Sequence, residues 1–207
     1  MFVLTIIYKL INGSFSRIRD VFFNVFFKLS LSLQGASYGK GIKTYGGLPR
    51  VLLNRKHGIV HFGTHTMFNN FHSVGWNSKC YIRVEKNASL EVGDYSGING
   101  VAICCSQEIR IGKYVKIGGG TCISDSNHHS LDYRERRLDS DLTKIRTAKI
   151  VIEDDVFIGA GCYIGKGVSI GARSIIAQGS VVVKDIPSDC IAGGNPCKVI
   201  KQINNND

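Results

Sequence analysis

The sequence predicts an all-β protein, a solenoid of stacked short strands with a helical N-terminal segment and one protruding loop. Three observations predict it. An aliphatic residue recurs at every sixth position through residues 152–187. Small residues fall at fixed places between these positions. A polar, aperiodic stretch breaks the beat once, between Ile123 and Ile152.

Written in sixes, residues 152–187 read IEDDVF, IGAGCY, IGKGVS, IGARSI, IAQGSV and VVKDIP. Ile152, Ile158, Ile164, Ile170, Ile176 and Val182 therefore hold first place without a slip. A helix spaces its apolar residues at about 3.6 and a half-buried strand at about 2.0, so neither gives this period. A coil of flat six-residue faces does give it. Each aliphatic side chain points inward and stacks on its counterpart one coil away. Gly159, Gly165, Gly171, Ser174, Ala177 and Ser180 then fall at or near the corners. Upstream the beat runs through Val92, Ile98 and Cys104, takes one step of seven to Ile111, and resumes at Ile117 and Ile123. The extra residue predicts a bulge near 105–110. The strand-like runs GIVHFG at 58–63 and YIRVEKNASLEVG at 81–93 carry the coils back to about residue 40.

The N-terminal segment, 1–34, is different in kind. Ile18, Val21, Phe22, Val25, Phe26 and Leu29 follow helical spacing, and six of the ten Phe precede residue 28. The segment fits an amphipathic helix on an anionic membrane surface, a cap on the end of the solenoid, or a helix packed on a partner subunit. The formal charge of +10 sides with a local anionic partner. Residues 1–84 hold 11 Lys and Arg against a single acid, Asp20, while 85–207 are balanced. Such one-ended charge does not predict nucleic-acid binding. Residues 35–201 form the solenoid domain, with the loop excursion at 125–149 and a polar tail at 202–207.

A hydrophobic content of 43% excludes a disordered chain, and no every-third-residue glycine pattern marks a collagen. No apolar run reaches the roughly 18 residues of a spanning helix. The seven cysteines are odd in number, form no CxxC pair and follow no cleavable signal. They predict reduced, mostly buried thiols in a cytoplasmic protein, with the N-terminal segment allowing a peripheral place on the inner face of the membrane.

The hexads, the loop motif NHHSLD at 127–132 and the closing GGNPCKVIK at 193–201 resemble the hexapeptide-repeat acyltransferases. Within them the chain is most similar to the branch of galactoside, maltose and polysaccharide O-acetyltransferases. The resemblance covers about residues 85–201. It implies a left-handed parallel β-helix, acetyl-CoA as co-substrate, and a homotrimer whose active sites lie between subunits and take a glycan acceptor.

Moving an acetyl group from a thioester to a sugar hydroxyl needs a base, because the alcohol is barely ionised near neutral pH, and imidazole is the usual choice. His128 and His129 are the only histidines after residue 72. In relatives the loop reads roughly D-x-D-x-H-P-[IL]-D. Laid onto 125–132, this register puts the base at His129 and leaves His128 beside it, in contact with substrate or cofactor. Asn127 and Ser130 depart from the pattern, so both histidines stay candidates. Asp125 or Asp132 would orient the ring by accepting its other N–H. Asn99 falls where relatives place an acceptor-binding Asn, and is otherwise an ordinary corner residue. Asp132 is a second acceptor candidate.

For the donor, the resemblance points to Phe157, Gly159, Ala160, Ala177, Gln178, Val183 and Lys184, whose small walls suit a slim pantetheine arm. Lys198 and Lys201 would meet its phosphates as point charges. No metal is expected. The cluster His57, His61, His65 and His72 lies outside the clear repeat, and zinc needs three convergent ligands. The RERR run at 134–137 reads as a solvated loop face. No acyl-enzyme is expected, since no cysteine stands beside the histidines in the motif. The rival functions are N-acetylation of an amino-sugar nucleotide and a non-catalytic β-helix scaffold.

Overall fold

The computed structural model describes residues 2–70, 79–138 and 143–203, with side chains from Ile18 onward. A helix, α1 (Phe2–Leu33), precedes a series of strands two to five residues long. Among the described residues these strands form three sheets of six, eight and six strands. Sheet A contains Glu108–Ile111, Ile150–Ile152 and Ser169–Ile170; sheet B contains Gly97–Asn99, Lys116–Ile117, Phe157–Ile158 and Ile175–Ile176; sheet C contains Ala102–Cys105, Cys122–Ser124, Tyr163–Ile164 and Val181–Val182. The chain visits A, B and C in turn, and the pairing is parallel until Lys198–Gln202 returns antiparallel on Cys190–Gly193. The result is a three-sided left-handed parallel β-helix, as the resemblance implied. Its three corners, AB, BC and CA, join the sheets of those letters.

The interior is the hexad column. Ile152, Ile158, Ile164, Ile170, Ile176 and Val182 are each no more than 1% exposed. They stack by sheet register, Ile152 on Ile170, Ile158 on Ile176 and Ile164 on Val182. Burying one such side chain contributes about 1.5–3 kcal/mol, so a column of them outweighs the modest pairing of two-residue strands.

Upstream the spacing needs correction. Counting by sixes put Cys104 inside, but Ile103 and Cys105 are the buried residues and Cys104 is only half-buried. The strand Ala102–Cys105 is four residues long, so it alternates twice and offers two inward side chains rather than one.

Helix α1 closes the open end of the solenoid. Phe27 and Leu31 are buried, and Phe27 meets Phe68 edge-on with centroids 5.1 Å apart. Asn24 donates to the Thr44 carbonyl and accepts the Thr44 N–H, and Gln34 accepts the Leu53 N–H. Backbone groups of the first coil thus find partners that no further coil supplies. The opposite side of the same helix is apolar too. Ile18, Val21, Phe22, Val25, Phe26, Leu29 and Leu33 are 46–78% exposed. Among the described residues no helix is long and apolar enough to cross a membrane.

Among the described residues, the histidines of the N-terminal cluster have separate partners. His57 bonds the carbonyls of Gln34 and Gly58, His61 meets Ser37, and His65 stacks on Tyr95. His72 lies outside the described residues. Among the described residues, no group of three His, Cys, Asp or Glu is placed to hold a metal ion.

Candidate active site

The loop leaves sheet C at Ser124 and returns at Ile150, and its two ends zip together at the CA corner. Ser126 bridges Thr147, Asn127 N–H reaches the Arg146 carbonyl, and Ala148 N–H reaches the Asp125 carbonyl. Asp125, at the root, is fully buried. Its carboxylate accepts the backbone N–H groups of Ser106 and Gln107 at 2.7 Å and of Glu108 at 2.8 Å, and the Cys105 thiol lies 3.7 Å away. These charge-assisted bonds tie the CA turn of the preceding coil to the loop. Asp125, one of the two carboxylates expected to orient a catalytic ring, clamps the backbone of the turn between Ala102–Cys105 and Glu108–Ile111.

His128 follows in the left-handed region, at φ 62°, with its N–H donating to Ser126 Oγ at 3.0 Å. Its ring Nε2 lies 2.9 Å from Ser124 Oγ. The single Ser124 proton has an acceptor 3.2 Å away in the Ser126 carbonyl. If that carbonyl takes the proton, Nε2 carries hydrogen and donates to Ser124 while Nδ1 keeps its lone pair; if the ring takes it, Nε2 accepts from Ser124. His128 lines a cavity of about 540 Å³ with Arg83, Glu85, Cys104, Cys105, Ser106, Ser126, Ile145 and Thr147. Arg83 and Glu85 form an ion pair there. Both histidines are exposed, and His129 does not line this cavity.

Two cysteines, separated from His128 by more than 20 residues in sequence, therefore share its cavity. Burial pushes both thiols above the ordinary thiol range, and the Asp125 carboxylate pushes Cys105 further. A thiol held protonated is a poor nucleophile.

The rest of the loop is braced by its arginines. Arg136 donates to the carbonyls of Ser130 at 2.8 Å and Leu131 at 3.1 Å. Arg134 and Arg137 lie over the Tyr133 ring, at 5.5 and 5.2 Å. Asp132 is exposed and accepts the Arg134 N–H at 2.8 Å, outside the His128 cavity. The RERR run thus shapes the loop as well as facing solvent.

The donor candidates lie elsewhere. Gly159, Ala160, Ala177 and Gln178 form the BC corners of adjacent coils, which stack flush: a Cβ on Gly159 would lie 2.6 Å from the Gln178 nitrogen. Phe157 projects beside them from sheet B, 49% exposed. Asn99, exposed, ends the sheet B strand and pairs in register with Asn69. Val183 and Lys184 are exposed at the CA corner, and Lys198 and Lys201 are exposed on the final antiparallel strand. One chain therefore holds His128 at one end of sheet C and the smooth BC strip, with Asn99, at the other.

A family model described as bacterial transferase hexapeptide (six repeats) matches residues 149–184. The galactoside O-acetyltransferase of Lactococcus lactis is 35% identical over 123 residues, 59% of this chain and 56% of that one. A 2,3,4,5-tetrahydropyridine-2,6-dicarboxylate N-acetyltransferase of Clostridium perfringens is 51% identical over 53 residues, 26% of this chain and 22% of that one. Among solved structures, a hexapeptide-repeat-containing acetyltransferase from Vibrio cholerae, complexed with acetyl coenzyme A, is 30% identical with a TM-score of 0.53. That match covers 80% of this chain and 73% of the other. The chain thus spans little more than half of the Lactococcus enzyme and nearly three quarters of the Vibrio one. With the unbroken hexads, the three-sided coil and these likenesses together, the chain belongs to the hexapeptide-repeat acyltransferase family.

Proposed function

We propose that this protein is an acetyl-CoA-dependent O-acetyltransferase that acts on a sugar hydroxyl in surface-polysaccharide or related glycan biosynthesis, with His128 as the general base. The observation that carries the reading is the His128 ring, held by Ser124 at the wall of a cavity large enough for an acceptor. Nδ1 takes the hydroxyl proton as the oxygen attacks the thioester carbonyl. The new C–O bond forms, the C–S bond breaks, and the imidazolium returns its proton to the leaving thiolate. The raised Cys104 and Cys105 thiols favour this direct attack over an acyl-enzyme. His129 and Asp132, on the exposed face of the loop, are then acceptor contacts, and Asp125 supports the loop rather than the ring.

The separation of His128 from the BC strip supports an assembly. A heterologous interface that sets one subunit's CA corner against the next subunit's BC corner closes into a ring, and three-sided coils suit a homotrimer. Phe157, Gly159, Ala160, Ala177 and Gln178 of one subunit would then flank the pantetheine arm. Val183, Lys184, Lys198 and Lys201 would complete the donor site, and Asn99 would reach the acceptor across the interface.

N-acetylation of an amino sugar is the second reading, favoured by the likeness to the Clostridium N-acetyltransferase. The exposed stripe of α1, beside the basic N-terminal half, supports a peripheral place on the inner membrane face of a cytoplasmic enzyme. An acceptor screen with labelled acetyl-CoA, using hydroxyl-only and amine-bearing sugars, tests the assignment. Ester products support it, amide products alone favour the second reading, and no transfer with no acetyl-CoA affinity by calorimetry leaves a scaffold.

A further inference from the structure

The AB corner carries neither His128 nor the smooth strip, and it is built unusually. His65, Tyr95 and Tyr114 occupy equivalent places on three adjoining coils, at φ 54°, 60° and 58°. A bulky L side chain is strained there, and glycine or asparagine is the usual occupant. The three rings form a ladder, with centroids 5.1 Å apart at each step and interplanar angles of 14° and 4°. Its first rung is sized by Gly41, where a Cβ would lie 2.5 Å from His65 Nδ1. The next coils fill the same column with Asp155, Arg173 and Asp189, and the last two close on each other as an ion pair. The aromatic half stays open, with Tyr95 and Tyr114 43% and 51% exposed.

Beside the ladder runs a groove on the outer face of sheet B, of about 400 Å³, walled by the rings and by Lys43, Tyr45, Met67 and Lys116. Gly97 stands between Met67 and Lys116 in register, so the Lys116 ammonium can fold back to the Tyr95 carbonyl at 2.8 Å. A second groove, of about 280 Å³, joins this one through Gly41 and Lys43 and ends against Val21, Val25 and Lys28 of α1. The two grooves have no acid among their lining residues. Ammonium groups, phenol hydroxyls and the electropositive ring edges make them donor-rich and positive. At one end they open onto the exposed apolar stripe of the helix.

We propose that this continuous groove, from α1 to the Tyr95–Tyr114 ladder, binds the phosphate-linked sugar head of a membrane lipid. The apolar stripe lies in the acyl boundary, Lys28 and Lys43 meet the phosphate, and the phenols and Lys116 bond the sugar hydroxyls and any acidic group. The inference takes its purpose, presentation of a lipid-borne glycan, from the acetyltransferase reading, but the binding itself requires no catalysis.

The test is partition of the full-length protein onto vesicles of neutral phosphatidylcholine alone, or mixed with equal fractions of phosphatidylglycerol or phosphatidylinositol. The last two match in charge, and only phosphatidylinositol carries a phosphate-linked six-membered polyol. The expected result is negligible binding to the neutral vesicles and at least about fivefold tighter binding to phosphatidylinositol than to phosphatidylglycerol. In a Tyr95→Asn, Tyr114→Asn variant, which suits the left-handed backbone, that preference disappears while binding to phosphatidylglycerol persists. Equal partition of the wild type onto both anionic vesicles overturns the proposal, as does a preference the variant retains. Tight binding of soluble glucose 1-phosphate without vesicle binding also overturns it, by assigning the groove to a free phosphosugar. Acetyl transfer to a soluble sugar, measured on the same variant, is expected unchanged. Its loss in wild type and variant alike would tell against the acetyltransferase reading and leave the groove standing.

Discussion

Ser124 Oγ lies 2.9 Å from Nε2 of His128, and that contact stands at the wall of the cavity that His128 lines. Ser124 is buried at the end of its sheet C strand, so the hydroxyl is a fixed point against which the His128 ring is oriented. His129, one residue on, is exposed as His128 is, but does not line that cavity.

His128→Ala is therefore expected to lower acetyl transfer by about 10²–10⁴-fold, the usual contribution of a positioned base, with acetyl-CoA affinity unchanged. His129→Ala should keep most of the rate and raise KM for the acceptor. Steady-state kinetics with calorimetry separates the two; the reverse ranking would restore the register that favoured His129.

Asp125→Ala should act on stability before chemistry. It leaves three backbone N–H groups at 106–108 without their carboxylate, a loss of about 3–5 kcal/mol. Thermal melts should show a large fall in Tm, with Asp125→Asn recovering part of it. A variant as stable as the parent but inactive would return Asp125 to the catalytic group.

The thiols of Cys104 and Cys105 should resist iodoacetamide near neutral pH and react only as the pH passes above the ordinary thiol range. Peptide mass spectrometry across a pH series reads this directly. An acid whose folded pKa is raised binds more protons folded than unfolded, so its contribution is intact below the unfolded thiol pKa and lost as pH rises through the folded one. Melting temperature should therefore decline on the alkaline side.

Phe26 and Phe27 are neighbours in sequence with opposite duties. Phe27→Ser should destabilise the fold by about 3–5 kcal/mol, as expected for emptying a buried aromatic site. Phe22→Ser with Phe26→Ser, on the exposed stripe, should leave Tm nearly unchanged and weaken sedimentation with anionic vesicles severalfold. Undiminished sedimentation would remove the helix from the membrane contact.

The hexads were legible because every coil repeats one demand, a single aliphatic residue inward per face, and Ile152 to Val182 meet it without exception. Cys104 was misplaced because a four-residue strand obeys period two, and no count by sixes can sense where a coil lengthens. The helix was legible as apolar, but its two faces were not separable. Phe27 and Leu31 sit on one side and Phe22 and Phe26 on the other, and which side meets the coil depends on where the first strand lies. The cysteines near His128 and the ladder of His65, Tyr95 and Tyr114 were invisible along the chain. They join residues from different coils, and only stacking brings these into contact.

The sequence by itself determined the solenoid, the place of its loop and the one-ended charge, since these rest on local period and composition. The tertiary structure decided which histidine lines the cavity beside Ser124, what Asp125 holds, and that this cavity and the smooth BC strip lie at different corners. Those outcomes turn on contacts between separate coils, Asp125 with residues 106–108 and His128 with the cavity wall at 83–106, where direction in space, not order along the chain, selects the partner.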